Sequence, residues 1–484
     1  MPTYPFCSVP QGRLSCSWWP RAETWRLGDT ALNLRCVLII SYHFYPSREI
    51  GARRVTALAR YLAERGVRVV VVSAFGSGAP VPDDPLLGGI LTVPVRRSSR
   101  RLLDAAVAIK RSLFRARKAE VGTPHDARVY VHAGGWSATG AFRRIKELYF
   151  RVQLFIDDCK DWSRRASRAA IRAGRLHGAQ VVLASGPPHS VQIAAAYAGA
   201  RLGIPYVADM RDPWSDTVPA RGALGKLEHA CAQAVERCTL RRAIRITSTT
   251  AAVATLLGTR YPELADKVVV IRNGFDGQIA PRAETTASRL SILFAGELYA
   301  GRDPFPFLAA LEWLVARPDV DPERVGVTLM GNVSSYAGRS LADWLRGKSC
   351  ESVVTILPPQ PQEVVTAASA SATVLLNLAQ QQPLSVPAKT FEQLACGREI
   401  LLVCERGCET ASLVAGVLGV KVVDPADADA MQQTLLDLYR RHAVRGMAHV
   451  PTDSEVAQFS RASANGRFVT VLEAAAAAPA TRPN

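Results

Sequence analysis

The residues best suited to chemistry in this 484-residue chain lie in Pro383-Leu-Ser-Val-Pro-Ala-Lys-Thr-Phe-Glu-Gln-Leu-Ala-Cys-Gly-Arg398. Pro383 and Pro387 forbid a helix through the first part, the spacing of Phe391, Leu394 and Ala395 starts one near Lys389, and Gly397 stops it. A loop that feeds a helix in this way presents free N–H groups and the positive end of the helix dipole, which can hold phosphate or hydroxyl oxygens. Lys389 and Glu392 fall on one face of that helix. A cation for a diphosphate beside a carboxylate for a ribose diol meets the needs of a nucleotide-sugar site. A solvated amphipathic helix can carry the same pair. The segment, however, joins two apolar runs, 373–378 and 400–403, and so sits at the edge of an α/β sheet where ligands collect.

A second group follows the run 204–208, where Asp209, Arg211 and Asp212 mark the C-terminal end of a strand. Two readings stay open for it: a carboxylate that takes part in chemistry, or two carboxylates neutralised by Arg211 in a structural ion pair. His189 follows the strand that ends at Ser185, and Gly51 follows the strand 35–42 and lets backbone approach a ligand closely. Gly296 and Arg302 lie in the loop after the strand that begins at Leu290.

The elements that must position these residues repeat one pattern. An apolar strand over 35–42, a helix with Val55, Leu58, Ala59 and Leu62 at helical spacing, and a buried strand over 67–73 make a βαβ unit with a parallel sheet. The loop after the first strand lacks GxGxxG, which argues against a nicotinamide or flavin enzyme. A third strand is expected at 91–95, and 98–175 reads as basic and helical with breaks. The strand–helix alternation then resumes through 270, where Asn273-Gly274 reads as a turn at positive φ. Residues 277–288 read as a linker. A second series of strands follows at 290–296, 325–330, 353–357, 373–378 and 400–403, and a last helix around 456–472 precedes an alanine-rich tail expected to fray.

Composition narrows the function classes. The hydrophobic fraction of 48% fits a globular protein with room for two or three domains. No apolar run reaches the roughly 18 residues of a membrane span, and residues 1–34 lack the central stretch of a signal peptide and read as a loose tail. The ten cysteines contain no CxxC pair and read as thiols of a reducing compartment. The net charge of +17 comes without a nucleic-acid-binding motif, so the readings are a solvated basic surface or contact with an anionic leaflet.

Four motifs in order complete the pattern: Tyr45-Pro46 with Gly51-Ala-Arg-Arg54, Asp209-Met-Arg-Asp-Pro-Trp214, Gly296-Glu-Leu-Tyr-Ala-Gly-Arg-Asp303, and Val386-Pro-Ala-Lys-Thr-Phe-Glu392 with Ala395-Cys-Gly-Arg398. Together they resemble a family 4 glycosyltransferase of GT-B fold, in the branch with a D-[FM]-R-D-P-W motif. The resemblance implies an α/β protein with two Rossmann-like doubly wound domains facing across a cleft, an acceptor domain at 35–280 and a donor domain at 281–455, with 456–484 as terminal helix and tail. It implies transfer of a sugar, with retention of configuration, from a nucleotide-diphosphate donor to a hydroxyl of a glycan or lipid-linked acceptor. Gly51, Gly296, Arg302, Lys389 and Glu392 would then bind the donor. Asp209 or Asp212, with His189 as a second candidate, would accept the acceptor's proton.

No metal or cofactor is called for, because Arg302, Lys389 and a helix dipole can offset the leaving diphosphate. Two departures from the family pattern stand out. Family members often place a lysine soon after the arginine, yet 303–311 has none, and Lys389 takes that role. The first glutamate of the family's E-x7-E pattern would fall at Leu384, so only Glu392 remains. The place expected is the cytoplasm, peripheral to the inner membrane face. A nucleotide-sugar epimerase of the same fold and a non-catalytic binding subunit are the alternatives.

Overall fold

The computed structural model describes residues 33–47, 49–75, 87–96, 156–157, 159–217, 222–280, 289–299, 301–445 and 448–478. The expected N-terminal tail, save for residues 33–34, and the basic stretch 98–155 lie outside them.

The first lobe contains β1 (Cys36–Ser41), α1 (Ile50–Ala63), β2 (Arg68–Phe75), β3 (Ile90–Arg96), α2 (Lys160–His177), β4 (Val181–Gly186), α3 (Ser190–Leu202), β5 (Tyr206–Met210), α4 (Gly222–Arg241), β6 (Arg245–Ser248), α5 (Ala251–Arg260) and β7 (Val268–Val270). Its seven strands are all parallel, in the order β3-β2-β1-β4-β5-β6-β7. β1 and β4 are buried along their whole length because helices cover both faces, which is why they read as unbroken apolar runs rather than as alternation.

The second lobe contains β8 (Leu290–Glu297), α6 (Phe305–Val315), β9 (Val325–Asn332), the short hairpin β10 (Ser335–Tyr336) and β11 (Arg339–Ser340), α7 (Leu341–Leu345), β12 (Val354–Leu357), α8 (Gln362–Ser371), β13 (Val374–Leu378), α9 (Ala388–Leu394), β14 (Glu399–Val403), α10 (Glu409–Leu413), β15 (Val420–Val423) and α11 (Ala428–Tyr439). Its main sheet has six parallel strands in the order β12-β9-β8-β13-β14-β15. Strand order reverses between β1 and β4 in the first sheet and between β8 and β13 in the second. Crevices for ligands open at such points, outside the carboxyl ends of the strands.

The chain then returns to the first lobe. After α12 (Asp453–Ala457), α13 (Arg461–Ala477) packs on α1, with Phe468, Leu472 and Ala475 in one cluster with Val55, Leu58 and Leu62. The fraying expected of the tail 473–484 is corrected as far as Ala477, the rest from 479 lying outside the described residues: Ala475 is 1% exposed, and burial against α1 replaces the large side chains this segment lacks. The turn expected at Asn273-Gly274 is corrected too. Gly274 is not among the glycines of positive φ; a Cβ there would meet the backbone of Phe459 to Arg461 at 2.7 Å, so the glycine admits the returning chain. Phe275 and Phe459 to Arg461 exchange backbone hydrogen bonds at that crossing.

Because Phe468 is 1% exposed at the centre of this packing, Phe468→Ala should cost about 3–5 kcal/mol by lost transfer energy and an unfilled cavity. Urea denaturation followed by circular dichroism measures it.

Candidate functional site

α1 carries a charged residue on its apolar face, since Arg54 shares the spacing of Leu58 and Leu62. Its partner is Asp209, at the end of β5 and 1% exposed. Arg54 Nη2 donates to Asp209 Oδ1 at 3.0 Å and Nε to Oδ2 at 3.2 Å. Ser185 Oγ and Thr247 Oγ1 complete the carboxylate at 2.7 and 2.8 Å. Burial alone would raise the Asp209 pKa, but the Arg54 charge and these hydrogen bonds hold it below the ordinary value. Arg54 also donates to the carbonyls of Ile271 and Arg272 and to Asn273 Oδ1, at 2.7, 3.0 and 3.2 Å. Both oxygens of Asp209 are thus occupied by strand and helix partners. The neutralising partner of this carboxylate is Arg54 in place of the expected Arg211.

Arg211 instead turns back under the β4 loop. Its Nε donates to Gly186 O at 3.0 Å and Nη2 donates to Pro187 O, and its guanidinium lies against Gly51 at the start of α1. A Cβ at position 51 would overlap that guanidinium, so the close approach expected for a ligand at Gly51 is taken by Arg211. His189 is 2% exposed and stacks on Trp214 with ring centroids 5.4 Å apart. It does not join the cleft-lining residues. Asp212 does: with Arg211, Thr249, Thr250 and Asn273 it faces Ser385, Val386 and Phe391 of the second lobe across a cavity of about 40 Å³. Crowding raises the Asp212 pKa, a rise opposed by Arg211 and reinforced by Asp209.

The lobes touch along this line. Thr250 Oγ1 donates to Leu384 O at 2.8 Å, and the Leu384 side chain packs against the first lobe's core. Glu409 accepts from the N–H groups of Ala251 and Ala252, at 3.0 and 2.9 Å, so a carboxylate of the second lobe caps α5 of the first. Arg53 Nη1 meets Glu392 Oε1 at 3.1 Å, both side chains about half exposed. Glu392, expected to hold a ribose, thus stands at the cleft with a first-lobe arginine as its present partner.

In the second lobe, the loops after β8 and β13 are knitted together at the switch point. Gln380 Nε2 donates to Asp303 O at 2.7 Å, and Gly301, at φ 82°, lies so close to Gln380 O that a Cβ would meet it at 2.6 Å. This places Arg302 over the Tyr299 ring, 4.2 Å from its centroid, with Nη1 donating to Glu297 O at 3.3 Å. Lys389, in the first turn of α9, lies over the Phe294 ring with Nζ 4.1 Å from the centroid. Lys389 Nζ is buried without a hydrogen-bond partner, and so is Arg302 Nε. Burial and then the nearby Arg302 charge pull the Lys389 pKa well below that of an ordinary lysine. Gly296 lies at the end of β8 with φ 152° and packs against β9, where a Cβ on Gly331 would overlap Gly296 O.

With this geometry in place, the comparisons identify the scaffold. Residues 51–274 match the family described as glycosyl transferase 4-like domain. The chain as a whole has a GT-B fold. It is similar to a sucrose-phosphate synthase from Thermosynechococcus elongatus, with a TM-score of 0.54 and 14% identity over 91% of this chain and 98% of that one. The lipopolysaccharide outer core galactosyltransferase WaaB gives 0.53 and 11% identity over 90% and 99%. Anabaena HepE, solved in complex with UDP-glucose, gives 0.51 and 12% over 91% and 99%. No curated protein sequence matches the chain.

Sequence reasoning missed three contributors: Arg54 as the buried anchor, Thr250 and Glu409. The signal for Arg54 was an arginine on an apolar helix face. Glu409 left none, because its partners are backbone amides some 157 residues away. Asp209→Asn should destabilise the fold by about 3–5 kcal/mol, since it leaves the Arg54 guanidinium buried without its counter-charge; chemical denaturation reads the loss.

Proposed function

We propose that the chain is a glycosyltransferase that takes a sugar from a nucleotide-diphosphate donor bound at the second lobe and passes it to a hydroxyl of a glycan or lipid-linked acceptor held against the first. One observation carries this reading. Lys389 and Arg302 put two basic side chains near each other, partly stripped of water and neither in an ion pair among the described residues, at the switch point where open α/β sheets bind ligands. A dianionic diphosphate supplies the missing charge. The guanidinium fork matches phosphate oxygens, and the ammonium acts as a point charge.

In the proposed reaction the bond between the sugar's anomeric carbon and the diphosphate breaks as the acceptor oxygen bonds to that carbon. Lys389 and Arg302 stabilise the charge that builds on the leaving oxygen. Glu392 holds the donor ribose once it lets go of Arg53. Asp212, at the cleft and with a raised pKa, accepts the acceptor's proton in place of the locked Asp209. We further propose retention of configuration, hexose as the transferred sugar, and action in the cytoplasm at the inner membrane face. Among the described residues no helix is long and apolar enough to cross a membrane.

Calorimetric titration with UDP, GDP and ADP tests the clamp. Arg302→Ala should weaken diphosphate binding by about 10- to 100-fold, the worth of a charge-assisted contact, and an unchanged affinity removes the proposal. Lys389→Met should act likewise on binding and yet raise the melting temperature of the ligand-free protein, because it deletes a buried amine that has no hydrogen-bond partner. An acceptor-free assay of sugar turnover separates transfer from epimerisation.

Protonation adds a second test. With its folded pKa depressed, Lys389 binds fewer protons folded than unfolded between its lowered pKa and the ordinary lysine value. Its contribution to the stability of the free protein therefore rises with pH across that window. A bound diphosphate reverses the preference, so binding at a pH above the lowered value should take up protons. Titration in buffers of different ionisation enthalpy measures the uptake, and Lys389→Met should abolish it.

A further inference from the structure

The opposite flank of the first lobe carries a surface that sugar transfer does not use. α2 turns Ala166, Ala170, Ala173 and Gly174 inward, and these small residues let it lie close to its neighbours: a Cβ on Gly174 would meet Leu202 Cδ1 at 2.6 Å. Its arginines are thereby left on the outside. Arg168, Arg172 and Arg175 follow one another at helical spacing on the exposed face, and Arg201 of α3 joins them. Together with Ile171, Leu176 and Tyr197 they line a groove of about 650 Å³.

Two properties of this groove point to what it meets. None of the four arginines has an acidic partner among the described residues, whereas Arg164 of the same helix lies 4.0 Å from Asp161. Between them stand apolar side chains that project into solvent, with Leu176 76% and Tyr197 49% exposed. Mutually repelling cations around protruding apolar groups match a surface that is anionic at its face and apolar just beneath it. A nucleic acid would reward a row of stacking aromatics, and this face has one.

We propose that the α2–α3 face docks the protein on an anionic lipid bilayer, with the arginines on lipid phosphates and Leu176 and Tyr197 set into the interface. The topology makes this compatible with catalysis. α2 runs antiparallel to the strands, and its N-terminal end abuts the ligand-bearing edge, where Asp157 Oδ2 accepts from Ser190 N at 2.7 Å. Laid flat, the 18-residue helix keeps that edge within about 27 Å of its far end along the membrane, at 1.5 Å per residue. A lipid-linked acceptor then lies beside the cleft rather than a whole lobe away from it. The inference goes beyond sugar transfer, and its test needs no turnover.

The test is co-sedimentation of the full chain with phosphatidylcholine vesicles and with mixed phosphatidylcholine–phosphatidylglycerol vesicles, at low and high salt. The wild type should bind only the mixed vesicles and release them as salt rises. Each basic residue at such a surface contributes roughly fivefold, so R168E/R172E/R175E/R201E should weaken binding by about a hundredfold or more, while four lysine replacements should retain most of it. Leu176→Ser with Tyr197→Ser should weaken it without changing the salt slope. Nucleotide binding should be unchanged in all of these variants, which also shows that they are folded. The proposal fails if the wild type ignores anionic vesicles, if the glutamate variant binds them as well as the wild type, or if that variant loses affinity for a duplex oligonucleotide and not for vesicles.

Discussion

The buried pair of Arg54 and Asp209 is the constraint on which the first lobe's edge depends. An ion pair of this kind brings little net stability, because desolvating both charges consumes most of their attraction. What it brings is position. One guanidinium reaches the carboxylate at the end of β5 and three acceptors between Ile271 and Asn273, while its flat face lies 4.7 Å from the Phe468 ring of the returning helix. A helix, a strand end, a crossover and the last helix thus share one fixed point. The next residues along, Arg211 and Asp212, inherit their placement from it.

Against that neutralised centre, the second lobe keeps its charge unbalanced. Phe294 and Tyr299 offer ring faces to Lys389 and Arg302, which stabilise a cation without cancelling it. A carboxylate in the same place would make the free protein more stable and occupy the seat of a ligand. At the cleft the lobes therefore differ: the first holds Arg54 and Asp209 in a closed pair, and the second leaves Lys389 and Arg302 without an ion pair among the described residues.

Much of the fold was legible because parallel strands covered on both faces must be apolar throughout, as 36–41, 181–186 and 374–378 are. The loops carrying Arg302, Lys389 and Asp212 were legible for the same reason, since each follows such a run. What periodicity does not encode is the partner across a long sequence separation. Asp209 and Asp212 look alike in sequence, and only the third dimension gives one of them Arg54, Ser185 and Thr247 and leaves the other at the cleft. His189 reads as a reactive ring until Trp214 covers it. Leu384, where the family has a carboxylate, lends its carbonyl to Thr250 and its side chain to the first lobe's core.

That contact bears on how the cleft opens. The space between Asp212 and Ser385 is about 40 Å³, room for one or two waters, so anything larger enters only if the lobes separate there. Along the junction, the Glu409 cap on α5 and the Leu384 packing are buried and directional, whereas Arg53 and Glu392 form a half-exposed pair of the kind worth roughly 0–1 kcal/mol. Separation costs least at Arg53 and Glu392, and the residue it frees is the glutamate assigned to the donor ribose. The crossing at Phe275 and Phe459 to Arg461 ties the lobes covalently and by hydrogen bonds, and Phe391, next to Glu392, packs in one cluster with Phe275 and Phe459, so the half-exposed pair sits beside that tie and not at a free rim.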